Sequence, residues 1–428
     1  MKKNRSTLRR VPMEQVRLGM YVTELCGSWM DHPFWNTRFK LEDPADLETL
    51  RNSAVSEIWI DTARGLDVAE DEAATPRETP ADREARVESE LHDAIEAPSE
   101  LPSRVDLQSE VARAAAICAN SRAAVTDMFR EARMGQAVDT AHLDPLVEEI
   151  SGSVLRNPGA LISLARLKSQ DDYTYMHSVA VCGLMIALAR QLGLDAEQVR
   201  EAGLAGLIHD VGKAKVDLEI LNKPGKLTDA EFEHVKSHPQ AGFELLREGG
   251  TAGPIPLDVC LHHHEKVDGT GYPHNLDDKS LTLFARMGAV CDVYDAITSD
   301  RPYKAGWDPA TAIRKMYDWS KGHFDAKVFQ AFVKTVGIYP TGSLVKLESG
   351  LLAVVTEIDT ARLLTPRVKV IYCTRRKSRT RITERDLAAP GCTDRIVGWE
   401  NPEHWGFSEL NELWAGEDAL AQQRRGAA

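Results

Sequence analysis

Six of the thirteen histidines in this 428-residue chain fall in four short motifs between Met176 and Asp292, "YMHS", "IHDVGK", "SHPQ" and "LHHHEKVDGTGYP". A fifth motif, "AVCDVYDAITSDRPYK", adds carboxylates and two cations. Imidazole and carboxylate together suit Fe, Mn or Zn. Such residues, carried on separate helices, can converge inside a helical bundle. The stretch "AGLIHDVGK", Ala205 to Lys213, poses the question most sharply, because it ends an apolar helical run on a histidine, an aspartate and a lysine. Burying charged groups is costly unless something pairs with them, and a bound cation would be such a partner.

Taken singly, each residue has a plainer explanation. His177 on an apolar helix reads as a satisfied core or surface histidine, and of the adjacent His209 and Asp210 one could cap a helix while the other faces water. The run His262 to His264 reads as a solvated polar turn, and Cys291 as a buried thiol. The combination is more specific. "HDVGK", then His238, then "HHEKVDGTGYP", then "DVYDAITSDRPYK" follow one another in one helical segment. In that order and spacing the chain resembles the HD-GYP family of cyclic-di-GMP phosphodiesterases, a subgroup of the HD hydrolases, over roughly Asp172 to Tyr339.

The resemblance implies a ligand set and a mechanism. It makes His177, His209, Asp210 and Asp292 ligands of one divalent metal, iron or manganese in the family. Asp210 would bridge to a second ion held by His238, His263 and His264. Two such ions about 3.5–4 Å apart clamp a phosphodiester and acidify a water near neutral pH. Lys213 matches the family lysine that points at the scissile phosphate, where a fixed cation stabilises developing charge. Arg301 and Lys304 match residues that hold substrate phosphates. Tyr272 offers an aromatic face suited to a guanine base, and Gly269 and Gly271 allow backbone conformations closed to other residues. The family also implies diguanylate cyclase partners through this loop, allows a homodimer, and points to control of motility and biofilm. One position departs from the pattern. Relatives with three metals carry a glutamate one turn before the first histidine, and Tyr173 stands there in "DDYTYMHS". A phenol, with a reference pKa near 10, replaces a carboxylate poorly. Two metals are therefore expected, with linear pGpG as the first product and GMP formed slowly if at all. A slow-turnover cyclic-di-GMP sensor or scaffold is the alternative.

The elements that must position these residues are mainly helical. "DLQSEVARAAAICANSRAAVTDMFREARM" and "DPLVEEISGSVLRNPGALISLARL" carry apolar residues at i, i+3, i+4 spacing, the mark of amphipathic helices. "TDAE" at Thr228 has the capping-box pattern, and Asp308 with Pro309 supplies an N-cap with proline at the first helical position. The expected fold is mainly α: a helical HD-type bundle with a small α+β N-terminal domain and a small strand-rich C-terminal appendix. Expected boundaries are 1–67 for the N-terminal domain, 68–104 for an acidic, solvated linker, 105–339 for the helical domain with its motif core at 172–339, and 340–428 for the appendix. The first of these resembles the uncharacterised domain often found ahead of HD-GYP modules.

A net charge of −13 argues against a surface that holds DNA or RNA through many phosphate contacts. Seven scattered cysteines without a CxxC pair read as free thiols in a reducing compartment. The N-terminus lacks the apolar core of a secretory signal, and the longest apolar run, "SVAVCGLMIALA", is shorter than the roughly 20 residues of a membrane span. A cytoplasmic protein is expected.

Overall fold

In a computed structural model the chain is described over residues 8–26, 39–51, 53, 55, 57–68, 86–87, 89–91, 105–167, 173–223, 225, 227–299, 306–359, 362–407 and 409–426. Arg301 and Lys304, the side chain of Tyr173, most of the aromatic run after Cys26 and most of the acidic segment lie outside those residues. Contacts divide the chain into two compact units, Met1–Leu91 with Arg314–His323, and His92–Ile313 with Phe324–Ala428.

The first unit contains an antiparallel sheet of β1 (Leu8–Pro12), β2 (Tyr21–Cys26), β3 (Phe39–Lys40) and β4 (Glu57–Asp61) in the order β1-β4-β2-β3, with helix α1 (Pro44–Arg51). "SEIWID" forms the strand its β-branched and aromatic content predicts, and Ile58 and Ile60 join Val11, Val22, Leu41 and Leu50 in an apolar core. In the acidic segment, residues 86–87 and 89–91 are helical with Val87 and Leu91 buried, and Tyr317 donates a hydrogen bond to Glu90 at 2.7 Å. These few described residues are packed.

The second unit is a helical bundle of α2 (Leu107–Arg133), α3 (Asp144–Arg156), α4 (Pro158–Arg166), α5 (Tyr173–Gln191), α6 (Ala196–Ile208), α7 (Leu218–Leu221), α8 (Asp229–Lys236), α9 (His238–Gly249), α10 (Pro254–His262) and α11 (Leu283–Thr298). Helix α12 (Pro309–His323) follows, its residues from Arg314 onward belonging to the first unit, and then α13 (Ala326–Val336) in the second. Asp308 caps α12 as expected, its Oδ1 accepting the N–H groups of Ala310 and Thr311 at 3.0 and 3.3 Å. Residues Val179 to Ala189 of α5 are buried on every side of the helix, as an all-round apolar sequence requires. Asp195 opens α6 and Thr228 opens α8, each with a complete capping box.

The tail is an antiparallel sheet of β5 (Leu344–Leu347), β6 (Leu351–Glu357), β7 (Arg367–Cys373), β8 (Ser378–Asp386) and β9 (Ile396–Trp399), ordered β8-β7-β6-β5-β9. It does not end in strands. Short helices α14 (Pro402–Trp405), α15 (Leu410–Ala415) and α16 (Glu417–Gly426) close it, and fully buried Trp414 accepts a hydrogen bond from Gln108 of α2 through its carbonyl at 2.9 Å.

Candidate metal centre

Five segments of the bundle each deliver part of one cluster. His177 projects from the first turns of α5, and Asp292 from the middle of α11. His209 and Asp210 sit where α6 tightens into a 3-10 turn at Val211–Lys215, with Asp210 at φ −97°, ψ 5°. That sparsely populated backbone region is common among active-site residues. His238 is the first residue of α9, and His263 and His264 follow the end of α10. Gly212 makes the junction feasible: a Cβ there would lie 1.9 Å from the His238 carbonyl oxygen, so only glycine lets the turn rest on α9.

All seven side chains are no more than 9% exposed. They form two groups, Asp210 with His238, His263 and His264, and His177 with His209 and Asp292, and within each group the ligand atoms lie within 4.8 Å of one another. Asp210 faces both. Its Oδ2 lies 3.5 Å from His177 Nε2 and 3.4 Å from His209 Nε2, while its Oδ1 lies 3.2 Å from His238 Nε2 and 3.8 Å from His263 Nε2. Asp292 Oδ1 approaches His177 Nε2 at 2.9 Å, and its Oδ2 lies 3.7 Å from His264 Nδ1.

The rings are aimed by their outer nitrogens. His209 Nδ1 donates to Gly206 O at 2.8 Å, His238 Nδ1 to Val235 O at 2.7 Å, and His263 Nδ1 to Val259 O and Cys260 O at 3.0 Å each. With Nδ1 protonated, each Nε2 turns a lone pair toward the centre, the arrangement that metal-binding histidines need. His177 is held differently, by the carboxylate of Asp295 at 2.6 Å from Nδ1. The motifs do not mark Asp295, although "DVYD" places it three residues after Asp292, on the same helical face.

Electrostatics agree with a cation-ready site. Burial pushes His263 down to about 3 and lowers His209 and His264 as well, so these rings stay neutral. Burial opposes the charged form of His177 too, but hydrogen bonds with Asp292 and Asp295 outweigh it and raise the imidazole above its usual value. Burial also works against the carboxylates, yet Asp210 is held well below the usual range by Lys213 and His209, and Asp292 by His177 and His264. Buried polar atoms without hydrogen-bond partners include His209 Nε2, Asp210 Oδ1 and His264 Nδ1. Such atoms are costly unless something else satisfies them, and the donor set of imidazoles and carboxylates fits Fe, Mn or Zn. The residues present therefore fit a pair of divalent ions.

Lys213 donates to Asp210 Oδ2 at 2.5 Å with its side chain 22% exposed, so its ammonium stands between the buried carboxylate and solvent. Tyr272 stacks on His264 with ring centroids 4.7 Å apart and 26° between planes, so one of its faces is already covered. Lys236 Nζ lies 6.0 Å from the centroid of the same ring. Gly269 has φ +76°, as the turn requires, whereas Gly271 is needed for space: a Cβ there would lie 2.4 Å from Glu265 Cα. Buried Glu265 accepts the N–H groups of His274 and Leu276 at 2.6 and 3.0 Å and pins the loop to the end of α10.

Two family models match the chain: "Domain of unknown function (DUF3391)" over residues 8–143 and "HD domain" over residues 158–328. A cyclic di-GMP phosphodiesterase of Pseudomonas aeruginosa is 57% identical over 415 residues, covering 96% of this chain and 96% of the relative. A cyclic di-GMP phosphodiesterase response regulator of Xanthomonas campestris pv. campestris is 40% identical over 36% of this chain and 40% of its own length. A 3′3′-cGAMP-specific phosphodiesterase of Vibrio cholerae is 32% identical over 41% of each chain.

Proposed function

The chain belongs to the HD-GYP family of cyclic-di-GMP phosphodiesterases, and we propose that it hydrolyses cyclic-di-GMP at the buried centre, opening the ring to linear pGpG. The observation that carries this reading is the convergence of the seven side chains into two ligand groups that share Asp210 between them. His177, His209, Asp292 and one oxygen of Asp210 would hold one divalent ion, iron or manganese. The other Asp210 oxygen, with His238, His263 and His264, would hold the second. When bound, such a pair supplies Lewis-acid charge neutralisation and a water acidic enough to deprotonate near neutral pH.

The chain's own groups do the rest. Asp210 and Asp292, ionised and buried, fix the charge of the site. The depressed imidazoles remain unprotonated ligands across the physiological range. Lys213, partly exposed at the rim, is placed to leave Asp210 for a substrate phosphate and to stabilise the charge that builds on its oxygens. Arg301 and Lys304 are proposed as phosphate-binding groups on the strength of the motif alone. Tyr272 supports His264 through one face, which leaves at most its other face for a guanine. Because Tyr173 occupies the place of a third-metal glutamate, pGpG is expected to accumulate and GMP to appear slowly.

The test is product chromatography with metal-loaded protein, offered cyclic-di-GMP and 3′3′-cGAMP in separate and competing reactions. Preferential conversion of cyclic-di-GMP to pGpG, abolished together with bound metal by Asp210→Ala, supports the proposal. Preference for 3′3′-cGAMP, or stoichiometric binding without turnover, contradicts it.

A further inference from the structure

The triple histidine contains one member that the centre does not use. His262, the last residue of α10, points its Nε2 at Nδ1 of His274 across a gap of 3.2 Å, with ring centroids 5.4 Å apart and planes tilted by 59°. Asp258, one turn earlier on α10, accepts from His262 Nδ1 at 2.8 Å and is itself held by the Thr282 hydroxyl. A carboxylate backing one imidazole nitrogen fixes the tautomer and presents the other nitrogen as a lone pair, the outer-shell device of metal-binding histidines. The backbone of His274 is fixed as well, because its N–H is bound by buried Glu265.

The geometry points to a second, peripheral metal site at His262 and His274, selective for an imidazole-preferring divalent cation such as Zn²⁺, and distinct from the buried centre. The separation of the two nitrogens decides the class of ligand. An ion about 2.0–2.1 Å from each nitrogen spans roughly 2.9 Å between them at a right angle and roughly 3.3–3.4 Å at the tetrahedral angle. The observed 3.2 Å falls between these limits, so the nitrogen separation already matches that of two ligands on one ion, which would replace the hydrogen bond between the rings. His274 releases its Nδ1 lone pair by carrying its single proton on Nε2, and His262 already carries its proton on Nδ1 toward Asp258. With two neutral nitrogen ligands and no oxygen ligand in place, the site discriminates against Mg²⁺ and Ca²⁺. His274 is exposed and His262 half-buried, so water completes the coordination shell. An ion here would tie the Gly-Tyr-Pro loop to the helix end that carries His263 and His264.

The test is zinc stoichiometry by equilibrium dialysis over rising free Zn²⁺, comparing unaltered protein with His274→Gln and His262→Gln. Both variants retain every residue of the buried centre, so the difference between curves reports the peripheral site whatever the substrate proves to be. The inference expects each variant to lose one bound equivalent, and Asp258→Asn to weaken that equivalent about 10–100-fold. Exposed His274 makes His274→Gln the safer variant, with circular dichroism to confirm its fold. Identical stoichiometry in unaltered and His274→Gln protein overturns the inference, as does tight binding of Mg²⁺ at the same equivalent.

Discussion

Asp295 stands outside the proposed ligand set but is placed to orient one of its members. It is 2% exposed, lies 2.6 Å from His177 Nδ1, and is the charged counterpart of the backbone carbonyls that aim His209, His238 and His263. Asp295→Asn keeps the size of the side chain but removes its charge, and metal affinity is expected to fall about 10–100-fold. Dialysis against a graded series of Mn²⁺ measures this, and an unchanged affinity would make Asp295 a packing residue. Lys213→Ala should retain metal yet lower kcat by about 10²–10³, since it removes one preorganised charge-stabilising donor. A raised KM with kcat unchanged would instead mark the lysine as a binding group. The clustered histidines are legible because their motifs succeed one another at family spacing. Asp295 was legible only in part, because its hydrogen bond to His177 spans 118 residues and sequence spacing shows only the helix face. The motif marks Tyr272 as a platform for a base. Its stacking on His264 depends on the path of a loop, which no residue pattern records.

At the scale of elements, the centre is assembled largely at helix ends, and the junctions carry the precision. Gly212 is the tightest of them, with the 3-10 turn resting directly on the His238 carbonyl. Gly212→Ala must push the turn away from α9, at about 1–3 kcal/mol for overpacking, and must separate Asp210 from His238. Loss of metal should therefore exceed what the drop in urea midpoint alone accounts for, whereas full metal content at wild-type affinity would show that the contact is not needed. The helix starts at Thr228 and Asp308 were readable because capping chemistry is local. The helices of the tail were not. At four to ten residues, α14 to α16 are too short for a 3.6-residue period to stand out beside five strands. The polar strand β8 was also hard to read, because it lies at the sheet edge with most of its residues exposed and shows no clear alternation.

At the scale of the molecule, the second unit joins its bundle to the C-terminal sheet through contacts such as those of Trp414, which involve none of the seven clustered side chains. Trp414 is fully buried, donates from its indole N–H to Asn411 at 3.1 Å, and packs beside Gly342, whose φ of +93° favours glycine and where a Cβ would lie 3.0 Å from the indole nitrogen. Trp414→Ala should cost about 3–5 kcal/mol, read as a lower urea midpoint for the second unit, while bound metal per folded chain stays constant. An unchanged midpoint would mean that the tail adds nothing to the stability of the bundle. The net charge of −13 is compatible with the proposed anionic substrate because the positive charge needed would be local, supplied by Lys213 and by ions held at the centre.

The central claim is that a pair of ions sharing Asp210 performs the hydrolysis. Its most direct test is the single-turnover rate of cyclic-di-GMP cleavage measured against metal bound per chain, starting from metal-free protein and adding Mn²⁺ in steps. The account predicts negligible cleavage up to the first equivalent, a rise to full rate as the second binds, and pGpG as the accumulating product. Full activity at one equivalent, or none at two, would contradict it.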